Sequence, residues 1–283
     1  MDHELLKAMT FLAKQAGKST LPFFYGNKAL KIDYKNEEGR QSPVTVADKK
    51  ANDIIVSGLG LMAEYPVLSE EGKHLPFKTR QSWQRYWLVD PLDGTKGFIH
   101  QQPEYTINIA LIEDHQPLMG VVYIPVTDEC FFGMRGHGAF KQVGDAAPVQ
   151  IHTRLQTAKP MDILVGHFDH SKNLTSLLSL LKEHAGYHLI RLNSSMKFCR
   201  VAEGGGDAYA RLGPTSEWDT AAGQAVLEAA GGLVVDTNGL LLRYNEKKSL
   251  INPMFCAVSQ RSIIPSLLAD IRHVQSLREL GSK

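Results

Sequence analysis

Apolar residues recur at three- and four-residue spacing near the start of the chain. This spacing is typical of amphipathic helices, and it predicts one helix over Glu4–Phe24 and a second over Ala47–Met62. Short apolar runs separated by polar turns occupy the residues that follow and predict strands. These runs are Pro66–Ser69, Tyr86–Val89, Tyr105–Ile112, Leu118–Ile124, Glu129–Met134 and Gly138–Gln142. The first half is therefore predicted to be a helix pair followed by a mainly antiparallel sheet.

Predicted strands and helices alternate in the second half, which is typical of an α/β layer. The predicted strands are Asp162–Gly166, Tyr187–Leu192, Ala208–Leu212 and Leu233–Asp236. The predicted helices are Leu174–Ala185, Ser194–Glu203, Asp219–Ala230 and, from apolar residues between 263 and 274, a terminal helix or contact surface. The pattern changes at residues 145–160. We therefore divide the chain into residues 1–150, a helix pair plus a mainly antiparallel sheet, and residues 151–283, an α/β subdomain.

Composition and charge narrow the class of protein. The 283 residues carry 31 Lys and Arg against 30 Asp and Glu, and a formal net charge of +1 argues against a protein that binds nucleic-acid polymers. Three scattered cysteines argue against a disulfide framework or a structural zinc site. The acidic N-terminus does not resemble a signal peptide, and no apolar stretch is long enough for a transmembrane helix. We expect a cytoplasmic protein, and peripheral association with the inner membrane stays open.

Three apolar elements end on acidic residues. Leu68-Ser69 runs into Glu70, Leu88-Val89 runs into Asp90, and the loop that ends at Trp218 runs into Asp219. Strand ends and helix starts hold side chains rigidly, which a ligand site requires. A set of carboxylates without His or Cys suits Mg²⁺ better than Zn²⁺, because Mg²⁺ prefers hard oxygen ligands.

The segment between Asp90 and Thr95 is the centre of this predicted site. Pro91 stiffens a turn that can point Asp90 and Asp93 at one locus and can offer the Leu92 carbonyl to a cation. Gly94 lets the backbone approach a ligand closely. If the residues from Gly94 onward open a helical turn, their N–H groups form an anion site beside the metal, which is an arrangement suited to a phosphate ester.

Each acid taken alone has a simpler explanation. Asp219 before a helix is a good N-cap, and Asp48 is typical of the first turn of a helix. The pair Glu70-Glu71 alone favours a solvated loop end, while Asp90 and Asp93 alone are common turn residues. The interpretation as a metal site depends on the acids occurring together and in this order.

Four motifs together resemble the inositol monophosphatase superfamily. They are Ser42–Asp48, Pro66–Glu71, Trp87–Thr95 and Trp218–Gly223, and the likeness covers nearly the whole chain. Four further stretches resemble the bacterial 3'(2'),5'-bisphosphate nucleotidase branch of that superfamily. They are Asp93–Phe98, Tyr105–Leu111, Ser194–Cys199 and Gly213–Asp219. The segment Gly166–His170 departs from that branch, which usually has a Ser-Arg-Ser-His-like run there.

The resemblance implies a layered α/β/α/β/α sandwich of the sugar-phosphatase type and two or three Mg²⁺ ions. It implies metal ligation by Glu70, Asp90, the Leu92 carbonyl, Asp93 and Asp219. It implies catalytic roles for Glu70, Thr95 and Asp48. The substrate contacts that it implies are Glu70, Leu92, Asp93, Gly94, Thr95, Asn193, Ser194, Lys197 and Asp219. On this division, residues 1–150 carry most metal ligands and residues 151–283 carry Asp219 and the nucleotide-contacting segment.

We therefore expect a phosphatase that removes the 3'-phosphate of adenosine 3',5'-bisphosphate, giving AMP and phosphate by direct attack of a metal-activated water. The alternatives are an inositol 1-phosphate or fructose 1,6-bisphosphate phosphatase of the same fold and a non-catalytic phosphometabolite sensor. Phosphatases that form an aspartyl-phosphate fit less well, since their Asp-x-Asp run has one residue between the acids, whereas Asp90 and Asp93 have two. The resemblance also implies lithium sensitivity and a place in sulfur metabolism. The expected partner is a small phosphate ester, and both a monomer and a homodimer stay open.

Overall fold

A computed structural model describes residues 2–37, 39–155, 160–169, 171–184 and 186–281. Its α-helices are α1 (Asp2–Phe24), α2 (Val46–Met62), α3 (Phe77–Arg80), α4 (Thr95–Ile99), α5 (Lys172–His184), α6 (Met196–Ala202), α7 (Ala221–Ala229) and α8 (Ile264–Gly281). Short 3-10 helices cover Glu217–Asp219 and Arg261–Ile263.

The strands form three sheets. They are β1 (Ile32–Glu37), β2 (Arg40–Thr45), β3 (Val67–Ser69), β4 (Arg85–Asp93), β5 (Thr106–Glu113), β6 (Gln116–Ile124), β7 (Glu129–Met134), β8 (Gly138–Val143), β9 (Val149–Ile151), β10 (Met161–Val165), β11 (Tyr187–Arg191), β12 (Ala208–Arg211), β13 (Leu233–Asp236) and β14 (Phe255–Val258). β1 and β2 form a hairpin, β3 to β9 form a seven-stranded sheet in chain order, and the five-stranded sheet has the order β11-β10-β12-β14-β13.

Alternating side chains of the seven-stranded sheet enter two different cores. Trp87 and Val89 of β4 pack in a cluster with α1 and α2, whereas Tyr86 and Leu88 pack in a cluster with α6 and α7. This two-residue period is that of a strand buried on both faces. The seven-stranded sheet therefore lies between the helix pair at the N-terminus and a central helix layer.

Close packing joins the central layer to the large sheet. A Cβ added at Gly120 of β6 would lie 2.7 Å from the Ala222 carbonyl of α7, so only glycine allows this approach. A third apolar cluster packs the outer face of the five-stranded sheet against α5 and α8. The layers thus run α1/α2, large sheet, α6/α7, small sheet, α5/α8, which confirms the predicted α/β/α/β/α sandwich.

Most predicted elements are present within one or two residues of their predicted ends. β9 and β14 were not predicted, and the helix predicted from Ser194 begins at Met196. β9 is the last strand of the large sheet and reaches Ile151, while residues 156–159 of the predicted transition lie outside the described residues. The division at residue 150 stays a prediction. Among the helices that the structure describes, none combines the length and the apolar composition needed to span a bilayer.

Candidate metal and phosphate site

Two neighbouring strands and one loop bring the predicted acids together. β3 pairs in parallel with β4, and the N–H of Glu70 at the end of β3 donates to the Val89 carbonyl at 3.1 Å. Asp90 and Asp93 follow along β4 across an irregularity in its pairing with β5. Asp90, Asp93 and Asp219 each offer a carboxylate oxygen, and these oxygens lie within 4.8 Å of one another.

Burial makes this group of carboxylates electrostatically costly. Asp90 is almost completely buried, and burial together with the neighbouring Glu70 and Asp93 raises its pKa well above the usual range. Burial also raises the pKa of Glu70 to about 8, against the opposing effect of Lys35. Like charges this close repel one another unless a cation or a proton lies among them. Since the donors are hard oxygens without His or Cys, the residues present fit a divalent cation such as Mg²⁺.

Asp219 is oriented by the loop that carries it. Its Oδ2 accepts from the Ser216 N–H at 2.8 Å, in a capping box of the 3-10 helix Glu217–Asp219. The residue in the N-cap position of α7 is Thr220. The simpler interpretation of Asp219 as the N-cap of the following helix is therefore wrong. The capping box instead holds the Asp219 carboxylate in place beside Asp90 and Asp93.

Thr95 and Asp48 are joined by a hydrogen bond. The Thr95 Oγ1 donates to Asp48 Oδ1 at 3.1 Å and also lies 3.2 Å from the Leu92 carbonyl. The Asp48 Oδ2 accepts from Thr45 as the third residue of α2, so its prediction as a first-turn acid is confirmed. Burial raises the pKa of Asp48 to about 6. One carboxylate thus caps α2 and fixes the Thr95 hydroxyl.

Gly94 takes the left-handed conformation, with φ of 96°, and is the N-cap of α4. This confirms the predicted helical turn after Asp93. The left-handed φ strains any residue with a Cβ, so glycine is required here. The turn places Thr95 in the lining of the cavity that also contains Asp90, Asp93 and Asp219.

The β1–β2 hairpin contributes Lys35, which no sequence pattern indicated. Its ammonium lies 2.8 Å from a Glu70 carboxylate oxygen and 2.5 Å from one of Glu71. The side chains of Glu70 and Glu71 are only 17% and 8% exposed, so the interpretation of this pair as a solvated loop end is wrong. The contact between Lys35 and Glu70 follows from the folded structure and not from local sequence, because thirty-five residues separate the two.

Ser195 and Asn108 are further site residues that the sequence prediction omitted. The Ser195 Oγ lies 3.1 Å from Asp93 Oδ2 and 2.8 Å from the Asp219 carbonyl, so it bridges the two halves of the acidic group. The Asn108 side-chain amide donates to Ser195 Oγ at 2.9 Å. The Ser194–Cys199 motif contains Ser195 and is the available signal, although the contacts predicted within this motif are Ser194 and Lys197.

A second wall of the site consists of loops that follow the parallel strands β11, β10 and β12. Asn193 donates its side-chain amide to Gln102 and its backbone N–H to Glu104. Ser194 has a φ of 52°, and its buried Oγ has no hydrogen-bond partner among the described residues. The Lys197 ammonium donates to the carbonyls of Leu192 and Ser194, and burial lowers its pKa to about 8.

The described residues of the segment Gly166–His170, whose sequence differs from that of the bisphosphate nucleotidase branch, also contribute to this wall. The Asp169 Oδ2 accepts from Arg211 Nη1 at 2.7 Å, and both residues line the same cavity. Phe168 lines that cavity with about half of its surface exposed. His170 lies outside the described residues.

One cavity of about 330 Å³ collects nearly all predicted site residues. It is lined by Glu70, Asp90, Leu92, Asp93, Gly94, Thr95, Asn193, Ser194, Lys197 and Asp219. Asp48 is the exception: it lies buried behind Thr95 and reaches the cavity through the Thr95 hydroxyl. The structure thus brings the predicted residues together, while the roles assigned to them stay predictions.

Comparisons with known proteins agree with this architecture. The sequence model of the inositol monophosphatase family matches residues 1–276. The 3'(2'),5'-bisphosphate nucleotidase CysQ of Salmonella typhimurium is 41% identical over 252 residues, which are 89% of this chain and 98% of that protein. CysQ of Escherichia coli K12 is 40% identical over the same coverage.

Solved structures show the same likeness. The crystal structure of CysQ from Bacteroides thetaiotaomicron superimposes with a TM-score of 0.78 at 36% identity, covering 91% of this chain and 98% of that one. The inositol monophosphatase of Thermotoga maritima has a TM-score of 0.76 at 21% identity, covers 98% and 99%, and shows the fold alone. The resemblance inferred from the motifs is confirmed, as is the assignment to the phosphoric monoester hydrolases. This chain belongs to the inositol monophosphatase family.

Proposed function

We propose that this chain hydrolyses the 3'-phosphate of adenosine 3',5'-bisphosphate to give AMP and phosphate, with Mg²⁺ as the required cation. One observation carries the proposal: a single cavity is lined both by buried carboxylates and by the cationic side chains of Lys197 and Arg211. An acidic group suited to cations, beside a cationic wall, suits a ligand with two separate anionic groups. The relatives at 40–41% identity are named for hydrolysis of such bisphosphates.

Glu70, Asp90, the Leu92 carbonyl, Asp93 and Asp219 would hold the Mg²⁺ ions. When bound, Mg²⁺ supplies positive charge that acidifies water and neutralises the oxygens of a phosphoryl group. The protein's own contribution is to fix these oxygens before substrate arrives, through the capping box at Asp219 and the Ser195 bridge to Asp93. Such preorganisation is the principal catalytic device for phosphoryl transfer.

Thr95 and Asp48 would orient the attacking water. Because the Thr95 hydroxyl donates to Asp48, its oxygen lone pairs face other donors, and a water can donate to them. Asp48 is then the group that draws a proton along this hydrogen bond, and Glu70 offers a second acceptor across the cavity. Attack by water requires no covalent protein intermediate.

The nucleoside would lie against the wall formed by Asn193, Ser194 and Lys197. The orphan Oγ of Ser194 is a buried polar atom in need of a partner, which a ligand hydroxyl or phosphate oxygen would supply. The hydrogen bonds of Lys197 go to neutral carbonyls, and its positive charge, which also acts on Asp93, would attract a phosphate. The alternative substrates of this fold, inositol 1-phosphate and fructose 1,6-bisphosphate, lack a base to place beside Phe168.

A substrate panel tests this proposal. Purified protein is incubated with adenosine 3',5'-bisphosphate, adenosine 3'-monophosphate, inositol 1-phosphate and fructose 1,6-bisphosphate, each with Mg²⁺ or with EDTA, and released phosphate is measured. We expect the nucleotide bisphosphate to have the highest kcat/KM and EDTA to abolish turnover. Preferred turnover of a sugar phosphate would refute the substrate, and no turnover of any ester would favour a phosphometabolite sensor. Trapping an aspartyl-phosphate with hydroxylamine would refute direct attack by water.

A further inference from the structure

A second and larger cavity lies on the opposite side of the large sheet. It has a volume of about 520 Å³ and lies beside α1, over the residues of β7 and β8. None of the residues lining it lines the metal and phosphate cavity. Its size falls within the range of small-molecule sites, roughly 300–1,000 Å³. No step of the proposed phosphatase reaction uses it.

The floor of this groove is aromatic. Phe132 of β7 and Phe140 of β8 stack with ring centroids 5.7 Å apart, and Met134 lies beside them. Phe11 projects from α1 into the groove's rim and is 64% exposed. Helix α1 packs mainly against β5, β6 and β7 and reaches β8 through Lys14, whose ammonium donates to Gln142 Oε1, so the α1 side of β8 forms the groove rather than a close-packed contact. The groove is therefore an apolar surface still in contact with water.

Among the described residues, the half-buried Lys14 at the groove has no ion-pair partner. The Lys14 ammonium is half-buried and donates to Gln142 Oε1 at 2.9 Å and to the Gly144 carbonyl at 2.7 Å. Both acceptors are neutral, and among the described residues no carboxylate forms an ion pair with Lys14. An ammonium has three donors, so one remains for a ligand. Lys7 and Lys18 line the same groove from the same face of α1, while Asp145 is the one acid in its lining.

We propose that this groove binds a small amphipathic anion: an apolar ring or chain that carries a single carboxylate, sulfonate or phosphate. The apolar part would lie on Phe132 and Phe140 under Phe11, and the anionic group would pair with Lys14. Charge complementarity favours this occupant over a neutral apolar ligand, since Lys14 would then gain the partner that it lacks. Burial of apolar area would supply most of the affinity, and the charged contact would supply the selectivity for anions.

The probe for this site is 1-anilinonaphthalene-8-sulfonate, which combines two aromatic groups with one sulfonate and fluoresces when it leaves water. We expect saturable binding with one probe per chain in the folded protein. Sodium decanoate should displace the probe, whereas decyltrimethylammonium, with the same chain and the opposite charge, should not. Absence of saturable binding, or equal displacement by both compounds, would refute an anion site.

Two variants locate the probe. Lys14→Met keeps the length of the side chain and removes its charge, and should raise the Kd by about fivefold or more, as the loss of a charge-assisted contact does. Phe11→Ser alters an exposed residue and should also raise the Kd. Lys182→Met, at an exposed position of α5, is the matched control and should bind the probe as the wild-type protein does. An unchanged Kd in both groove variants would overturn the proposal.

Two further measurements distinguish a ligand site in this groove from binding in the metal cavity and from a dimer interface. Displacement of the probe by Mg²⁺ with inorganic phosphate would place it in the metal cavity and overturn the proposal. Sedimentation velocity of the wild-type protein and Phe11→Ser tests for a second copy of the chain on this face. A dimer that dissociates in the variant would show that the groove is an interface and would overturn the proposal. A sedimentation coefficient unchanged by the variant, together with the weakened probe binding, supports a ligand site.

Discussion

The Asp169 carboxylate accepts a hydrogen bond from the Arg211 guanidinium, with Oδ2 and Nη1 2.7 Å apart at the edge of the candidate active site. Asp169 is almost completely buried, and its other oxygen accepts from the Ser171 N–H at 3.2 Å. The pair arises because β10 and β12 run in parallel, so the residues at their carboxyl ends meet. The negative charge of Asp169 therefore offsets part of the positive charge with which Arg211 would attract a second phosphate group.

Asp169→Asn should increase the preference for doubly phosphorylated substrates. The amide keeps the shape of the side chain but leaves Arg211 without its counter-charge. We expect the ratio of kcat/KM for adenosine 3',5'-bisphosphate to that for adenosine 3'-monophosphate to rise by roughly fivefold, since the two substrates differ only in the second anion. An equal fall in kcat/KM for both substrates would mean that Asp169 stabilises its loop and does not affect selectivity for the second phosphate.

Asp93→Asn should remove most activity while preserving the fold. A neutral amide is a poor ligand for a hard dication, so kcat should fall by about a hundredfold or more. Because Asp93 lies among like charges, its neutralisation should leave the metal-free thermal midpoint equal or higher. Differential scanning fluorimetry with and without Mg²⁺ should show stabilisation by the ion in the wild-type protein only. Asp53→Asn, on the exposed face of α2, is the control; near-normal turnover in Asp93→Asn would show that the site is misplaced.

The sequence predicted what depends on local spacing. The period of apolar residues in α1, α2 and the strands of the large sheet reflects burial on defined faces, so the elements and their layers were predictable. β14 was not, since Phe255–Val258 is a four-residue apolar run that is ordered only by pairing with β12 and β13. In an apolar run of four residues there is no alternation of apolar and polar positions that would distinguish a strand from a buried loop.

The acids of the site were predictable because each lies in a sequence motif at the end of an apolar element. Their hydrogen-bond and ion-pair partners were not predictable. Lys35 and Ser195 act through contacts with Glu70 and Asp93, residues that are distant in the chain. Asp169 lies in the segment Gly166–His170, whose sequence differs from that of the bisphosphate nucleotidase branch. The resemblance therefore assigns no hydrogen-bond partner to Asp169. Contacts of this kind follow from strand order and hairpin placement, which the local pattern does not encode.

Ser195→Ala should weaken the binding of Mg²⁺ several-fold while lowering the stability of the fold only moderately. The Ser195 hydroxyl bridges Asp93 and the Asp219 carbonyl and accepts from Asn108. Its loss frees two parts of the acidic group and leaves the Asn108 amide with one long hydrogen bond, to Asp93 at 3.5 Å. We expect a loss of about 1–2 kcal/mol in the free energy of unfolding. The Mg²⁺ concentration for half-maximal stabilisation should rise several-fold. Ser179→Ala, at an exposed position of α5, should change neither quantity. Equal Mg²⁺ responses in the wild-type protein and both variants would exclude a positioning role for Ser195.

Glu129 should make stability depend on pH on the acid side. It joins β7 to α6 through Arg200 at 3.0 Å and to β8 through Lys141 at 2.7 Å. Burial of Glu129 raises its pKa, but hydrogen bonds from Arg200 and Lys141 outweigh that effect and lower the pKa to about 2. A carboxyl whose pKa is lower in the folded state than in the unfolded state stabilises the fold above the unfolded value, near 4.5. This stabilisation is lost as the pH falls from there towards 2.

Glu129→Gln should therefore flatten the acid limb of the stability profile. Urea unfolding at pH 7, 5, 4 and 3 should show a smaller drop in the free energy of unfolding between pH 5 and pH 3 for the variant than for the wild-type protein. Since Glu129 is partly exposed, salt should reduce the difference. Glu4→Gln is the matched control, because Glu4 also pairs with a lysine but is fully exposed at the start of α1. Equal acid limbs for wild type and Glu129→Gln would mean that Glu129 retains a similar pKa in the unfolded chain, and that its ion pairs contribute nothing to pH-dependent stability.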